Sequence, residues 1–170
     1  MKKLFLTITT AVVLLFTVNM NAQNQDIVDV AASNKSFSTL VTAVKAAGLV
    51  DALKGEGPFT VFAPTNAAFA KIDKNTLGAL LKPENKSKLT SILTYHVIKG
   101  KLTAKDVVAA LKKGKGKVTL TTLSGEKITV VQNDKGIWLQ DANGNYSMIS
   151  STDVMASNGV IHVIDSVVMP

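Results

Sequence analysis

Few residues in this chain are able to carry catalytic or metal chemistry. Its 170 residues include two histidines and no cysteine, which excludes thiolate nucleophiles, cysteine-bound zinc and disulfides. His96 and His162 lie far apart in sequence, and neither belongs to a metal-binding spacing such as H-E-x-x-H. No G-x-S-x-G segment accompanies the many serines. These observations predict a protein that is not an enzyme and that holds no metal or cofactor.

Two short segments resemble ligand-binding loops but lack the required spacing. Residues 114–117 read GKGK, which is glycine-rich and basic but does not have the pattern of a phosphate-binding loop. Residues 141–145 read DANGN, in which oxygen-bearing side chains alternate as in a calcium loop. Its glycine comes two positions early, and Thr152 stands where a bidentate glutamate is needed. We therefore expect a solvated turn at the first segment and a tight hairpin at the second.

The charge distribution is the main electrostatic feature of the sequence. The formal net charge is +7, and every cationic side chain is a lysine. Arginine is the residue that most often binds phosphate and guanine in nucleic-acid complexes. Its absence therefore argues against sequence-specific binding of nucleic acid. Residues 82–117 hold ten lysines and only two acidic residues, which predicts a basic face. This face either keeps the domain soluble or binds an anionic polymer or surface. The binding hypothesis uses Lys99, Lys101, Lys105, Lys112, Lys113, Lys115 and Lys117.

The first 22 residues have the three-part pattern of a secretory signal peptide. Lys2 and Lys3 precede an apolar run over residues 4–18, and the segment ends with the small residue Ala22. The run is shorter than the roughly 20 apolar residues that a spanning helix needs. We expect cleavage after Ala22 and a secreted single domain over residues 23–170, located outside the cell or in a periplasm. No later apolar stretch is long enough to span a membrane.

Helical patterns dominate the first part of the remaining chain and strand patterns the second. Apolar residues recur at helical spacing from Asp26 to about Lys113, interrupted by an apolar strand between Pro58 and Pro64. From residue 117 onward they alternate as in antiparallel strands, with turns rich in Asn and Gly. Residues 160–169 are apolar at most positions, which predicts a central buried strand. This order predicts an α+β fold.

Several polar residues have a structural interpretation in this fold. Thr65 or Asn66 is placed to cap a helix after the Pro64 turn, Ser36 to cap an earlier helix, and Thr103 to begin a capping box. Five residues of the sequence motifs are expected to have a structural function and not to bind a partner. They are Thr65, Asn66, Asn158, Gly159 and His162.

Three segments together resemble the fasciclin domain, an extracellular adhesion module. They are FTVFAPTNAAF at 59–69, YHVI at 95–98 and NGVIHVID at 158–165, in the family's order. The opening DIVDVA at 26–31 also fits. The resemblance covers nearly all of the chain after Ala22 and implies a wedge of antiparallel strands with helices packed at one side.

The resemblance also implies a function in cell adhesion or matrix attachment without catalysis. In animal members a Tyr-His motif and a short Asp-Ile motif are implicated in integrin binding. Tyr95 and His96 match the first, and Asp153 with Val154 and Met155 corresponds to the second, with Val154 in place of Ile. The implied partner is a cell-surface or extracellular matrix protein or polysaccharide. Two alternatives stay open: a polymer-binding module using the lysines, and a small-ligand binder with a pocket between sheet and helices.

His96 and Trp138 each allow two interpretations from sequence. His96 follows an apolar helical stripe, so it is either a buried imidazole bonded to backbone or part of the contact face. Trp138 alternates with Ile137 and Leu139, and we expect it in the core more than on the surface because large aromatic side chains are mostly buried.

Overall fold

The computed structural model describes residues 24–170. The predicted signal peptide, residues 1–22, lies outside the described residues. Within them no helix is long and apolar enough to cross a bilayer. The helices are α1 Ile27–Ser33, α2 Ser38–Ala47, α3 Val50–Lys54, α4 Asn66–Ala70, α5 Lys74–Leu80, α6 Lys86–Tyr95 and α7 Ala104–Lys113. The strands are β1 Phe59–Pro64, β2 Val97–Lys99, β3 Lys117–Thr121, β4 Lys127–Asn133, β5 Gly136–Gln140, β6 Tyr146–Ala156 and β7 Gly159–Ile164.

The seven strands form one sheet in the order β2-β1-β7-β6-β5-β4-β3. All neighbours are antiparallel except β1 and β7, which run parallel with Phe59 opposite Gly159. The predicted α+β class is therefore confirmed, while the expectation of a wholly antiparallel sheet is wrong at this one pair. The parallel pair arises because β1 and β7 are joined by a long crossover rather than a hairpin.

Local sequence signals explain most of the helix ends. Asp26 caps α1 by accepting from the amide of Asp29, and Thr103 forms the predicted capping box with Asp106. α2 ends at Gly48, which has a positive φ of 71°, as is common for a glycine that ends a helix. The prediction that Ser36 caps α2 is wrong. Asn34 instead accepts from the amide of Ser36 and begins a short 3-10 turn before α2.

Two apolar cores lie on opposite sides of the sheet's central strands. The first is built from the helices α1 to α6 with one face of β1 and β7, and includes Phe37, Leu93 and Ile161. The second lies between α7 and the strands β3 to β5, and includes Leu111 and Leu139. β7 is therefore covered on both faces, as its continuous apolar sequence predicts. It ends at Ile164, earlier than predicted.

The sheet is curved so far that its two ends nearly meet. The amide of Leu123, just after β3, donates to the carbonyl oxygen of Val97 in β2 at 2.7 Å. This bond covers part of β2 at one edge of the sheet. Residues 151–155, which include the predicted contact residues Asp153, Val154 and Met155, belong to the eleven-residue strand β6. β6 pairs with β5 through its first part and with β7 along most of its length.

Candidate interaction surface

Tyr95 lies at the end of α6 and is entirely buried, with 0% of its surface exposed. Its hydroxyl donates to the carbonyl oxygen of Lys127 in β4 at 2.9 Å. Burial raises the pKa of the phenol above its usual value. Tyr95 thus ties the last turn of α6 to the strands of the second core, and the folded domain does not present its ring to a partner.

His96 follows Tyr95 and is also buried. Its Nδ1 lies 2.8 Å from the carbonyl oxygen of Ile92, and its Nε2 accepts from the amide of Val168 at 3.3 Å. Because the carbonyl of Ile92 can only accept, Nδ1 carries a proton. Because the amide of Val168 can only donate, Nε2 carries none, and the ring is neutral. Burial lowers the pKa of His96 to about 4, against the opposing hydrogen bond with Ile92. The ring therefore joins α6 to the C-terminal segment, since Nδ1 binds within α6 and Nε2 holds Val168.

Asp153 holds the start of α7 against β6. Its φ is 58°, in the left-handed region, and the pairing of β6 with β7 shifts register between Ser151 and Val154. This irregularity turns the carboxylate so that it accepts from the amide of Ala104 at 2.8 Å. Asp153 is half-buried, and its carboxylate is bound to this amide rather than free in solvent. Aspartate tolerates this backbone conformation better than most residues.

His162, in β7, also contributes to the connection between β6 and the start of α7. Its Nε2 donates to the carbonyl oxygen of Leu102 at 2.8 Å, and its Nδ1 accepts from the amide of Asp153 at 3.4 Å. The ring also lies 5.8 Å from that of Phe62, centre to centre. His162 therefore fixes both the loop before α7 and the irregular part of β6.

Of the remaining predicted contact residues, only Met155 is strongly exposed. Its side chain is 48% accessible, whereas Val154 packs against the first core. Ser151 and Thr152 are also exposed. The residues of this part of β6 that face solvent are thus Ser151, Thr152 and Met155, on a strand anchored through Asp153.

The seven predicted lysines are all exposed but do not form one patch. Lys99, Lys101 and Lys105 lie around the start of α7, next to Ala104, which binds Asp153. Lys112, Lys113, Lys115 and Lys117 lie at its end and in the turn into β3. Since a ten-residue helix is about 15 Å long, the structure divides the set into an α7-start group and an α7-end group.

Thr65 and Asn66 lie where the chain leaves β1, and they have different functions. Thr65 caps α4 by accepting from the amide of Ala68. Asn66 instead accepts from the amide of Thr39 and donates to the carbonyl oxygen of Lys35. Asn66 thus fastens the start of α2 to α4, which local sequence could not show because the partners are far away along the chain.

Asn158 and Gly159 join the start of β7 to the helices. The Asn158 side chain accepts from the amide of Ile27 and donates to the carbonyl oxygens of Leu53 and Gly55. A Cβ on Gly159 would lie 2.1 Å from the carbonyl oxygen of Phe59. The Asn-Gly pair is therefore required by tertiary packing and not only by the turn.

The loop at 141–145 has no free carboxylate oxygen for a cation. Asp141 is buried, and one of its oxygens accepts from the amides of Asn143 and Asn145. The other accepts from the side chain of Asn145 and the amide of Met169. Among the described residues no group of three His, Cys, Asp or Glu could hold a metal ion.

The most enclosed apolar cavity described lies between α1, α2 and the central strands. Its volume is about 30 Å³, and its lining includes Val28, Val44, Val61 and Ile161. A cavity of this size has room for no more than a few water molecules. It does not supply the ligand-sized pocket that the small-ligand hypothesis requires.

Two aromatic residues that the sequence did not assign to a surface face the same side of the sheet. Trp138 is half-buried on the face of β5 opposite to the fully buried Leu139. Tyr146, in β6, is 53% exposed. The expectation that Trp138 is a core residue is therefore wrong. Its strict alternation with Leu139 was the available signal, because one of the two had to point away from the core.

The curved mixed sheet, the helices packed over its central strands and the Asn-Gly entry to β7 define the chain as a fasciclin domain. Residues 35–170 match the fasciclin domain family, and the chain belongs to it.

Relatives and one solved structure support this assignment. The chain is 54% identical over 144 residues to Protein sll1483 of Synechocystis sp., covering 85% of this chain and 73% of that protein. It is 37% identical over 163 residues to the immunogenic protein MPB70 of Mycobacterium bovis, covering 89% and 73%. Its fold matches a FAS1 domain pair from the insect cell adhesion molecule fasciclin I, with a TM-score of 0.74 at 23% identity. That match covers 86% of this chain and 51% of the other, about half.

Proposed function

We propose that this protein is a secreted, non-enzymatic attachment protein that binds a cell-surface or extracellular matrix partner. The observation that carries the proposal is its membership of the fasciclin family, whose fold it shares with an insect cell adhesion molecule. The structural use of both imidazoles supports a non-enzymatic function, because each is engaged by backbone groups at both ring nitrogens.

The contact region in this proposal is the exposed part of β6, with Met155 at its centre. Exposed methionine side chains adapt readily to a partner's surface, and loops and irregular strands carry function disproportionately. Tyr95 and His96 do not contact the partner in this proposal. They contribute from the interior, by fixing the end of α6. Asp153 contributes in either of two ways, through its charge or through the position it gives to β6.

Cell attachment to coated surfaces tests this region directly. Met155→Ser should lower attachment several-fold, whereas Leu123→Ser, which alters another hydrophobic side chain of 44% exposure, should leave it unchanged. Equal attachment by wild type and Met155→Ser would contradict the proposed contact region. Failure of the wild type to attach to any cell or matrix surface would contradict the proposed function itself.

Asp153→Asn separates the two contributions of Asp153. The amide keeps an oxygen able to accept from Ala104, and asparagine also tolerates a positive φ. Unchanged stability with lost attachment would show that the negative charge meets the partner. Unchanged attachment would show that Asp153 acts by positioning β6.

A second candidate function is binding of an anionic polymer through the lysines. The observation that favours it is the exposure of all seven, grouped at the two ends of α7. Because binding of this kind releases counterions, the affinity should fall steeply between low and physiological salt. A salt-insensitive association would remove this candidate.

A further inference from the structure

The strands β3 to β6 have one face covered by α7 and the opposite face, here the outer face, not covered by any described helix. Successive strands align two rows of outward side chains across the sheet. The first row is Lys117, Val131, Trp138 and Met148, and the second is Thr119, Thr129, Gln140 and Tyr146. Thr121 and Lys127 form a shorter third row. The intervening residues, such as Val130 and Leu139, are fully buried beneath α7.

The two aromatic rings lie on neighbouring strands of this outer face. Trp138 pairs with Met148 and Tyr146 pairs with Gln140, so Trp138 and Tyr146 occupy diagonal positions, about 7 Å apart between backbones. The indole is held in place because its Nε1 donates to the side-chain oxygen of Asn133 at 3.0 Å. A fixed ring beside an exposed phenol offers flat apolar area together with polar edges. In general, the C–H faces of sugar rings can stack on aromatic surfaces of this kind.

The polar side chains between and around the rings suit a hydroxyl-rich ligand. Thr119, Thr129 and Gln140 supply donors and acceptors along the second row. The two aliphatic residues in the two rows, Val131 and Met148, are half-buried. The outer face therefore lacks the stripe of exposed aliphatic residues that an amphipathic helix of a partner protein would need.

The charge of the outer face is complementary to an anion. Its ten side chains include two lysines and no carboxylate. The first row begins at Lys117, which also belongs to the α7-end group. The lysines of this group therefore border the outer face at the end of the first row. The acidic residues that adjoin β4 and β5 along the chain are Glu126, Asp134 and Asp141. The first two lie in the turns before and after β4, and Asp141 is buried. A chain lying along the first row would meet the α7-end group at one end and then Trp138, with Tyr146 diagonal to it in the second row.

We infer that the outer face, centred on Trp138 and Tyr146 and bordered by Lys117, binds an acidic polysaccharide. Sugar rings stack on the two aromatic side chains, and the carboxylates of the polymer pair with the lysines of the α7-end group. This inference rests on the proposed attachment function, for which it names a partner class and a surface separate from the Met155 region.

Binding of the purified protein to immobilised polygalacturonate tests the inference, with fully methyl-esterified polygalacturonate as the matched uncharged polymer. Wild type should bind the acidic form and bind the ester several-fold more weakly. Tyr146→Ser should weaken binding about tenfold through lost stacking. Lys117→Gln should weaken it about two- to fivefold. The matched controls, Met155→Ser and Lys74→Gln, alter exposed residues outside the outer face and should bind as wild type.

Three results would overturn the inference. One is absence of binding to the acidic polymer. Another is equal binding to the acid and its ester, which would remove the charge requirement. A third is salt-sensitive binding that Tyr146→Ser does not change, which would assign the polymer to the lysines alone. If cells attach to the wild type and only Met155→Ser reduces attachment, while polygalacturonate does not bind, the proposed function stands and this inference fails.

Discussion

Polar and aromatic side chains have different functions in two regions of this domain. One is the helix-covered region around β1 and β7, and the other is the outer face of β3 to β6. Around β1 and β7, both faces of the sheet are covered, and polar side chains such as Asn158 and His96 are engaged by backbone groups on distant elements. On β3 to β6, one face is covered and Tyr146 and Lys117 project into solvent. Polar and aromatic residues in the first region therefore determine stability, and those in the second are available for binding.

The largest predicted effect belongs to the helix-covered region, at Gly159. A methyl group there would meet the carbonyl oxygen of Phe59 at 2.1 Å and the side chain of Ile27 at 2.7 Å. Gly159→Ala should destabilise the fold by about 3 kcal/mol, measured by urea unfolding. Gly78→Ala is the control, since nothing lies within 4 Å of its added carbon in α5, and it should stabilise by up to about 1 kcal/mol. A harmless Gly159→Ala would contradict the close approach of β7 to β1.

A comparable effect should be seen at His96 when the pH is lowered. The folded protein holds the pKa of His96 at about 4, below its ordinary value of 6.5. The unfolded chain therefore takes up a proton in this pH window that the folded chain does not, so the contribution present above pH 6.5 is lost as the pH falls towards 4. The expected loss is about 3 kcal/mol.

The check is the free energy of unfolding as a function of pH for wild type and His96→Gln. Glutamine has a donor and an acceptor but does not titrate, so the variant should lack this part of the pH dependence while being less stable above pH 7. Parallel curves for the two proteins between pH 6.5 and 4 would contradict the neutral, buried state of His96.

A smaller effect is expected where the two cores are joined, at Tyr95. Tyr95→Phe keeps the ring but removes the donor to the carbonyl oxygen of Lys127. The expected loss is about 1 kcal/mol, measured by thermal or urea unfolding. A stability equal to that of wild type would show that water replaces the hydroxyl at no cost, and that the contact does not couple α6 to β4.

The smallest effect on stability is expected on the outer face. Tyr146→Ser should change the free energy of unfolding by less than about 0.5 kcal/mol, because the ring is 53% exposed. The same variant is expected to lose most of its polysaccharide binding. A strong destabilisation would place Tyr146 with the structural residues and would remove the contrast between the two regions.

Local signals in the sequence predicted much of the fold but not its long-range pairings. The caps of α4 and α7, the end of α2 at Gly48 and the alternation in β3 to β5 all depend on neighbours within a few residues. The parallel pairing of β1 with β7 and the bonds of Asn66 to residues 35–39 depend on distant partners. The sequence held no independent signal for these.

The candidate surfaces were harder to predict than the fold for the same reason. The motif residues Tyr95 and His96 are noticeable in the sequence, but only the packing of α6 shows that both are buried. Asp153 is noticeable too, yet its link to Ala104 depends on an irregularity in β6. Trp138 and Tyr146 come together only once the register of β5 and β6 is known.

The placement of β6 has a mechanical consequence for attachment. A partner held at Met155 would pull on a strand that lies inside the sheet, with β5 on one side and β7 on the other. Because β6 pairs with β7 from Ile149 to Ala156, tension at Met155 would load the hydrogen bonds to β7 first. It would reach β5 only where Tyr146, Ser147 and Met148 pair with that strand. The grip on Ala104 and His162 would also transmit that tension to α7. Force applied at Met155 would thus act on an interior strand of the sheet and not on an edge strand.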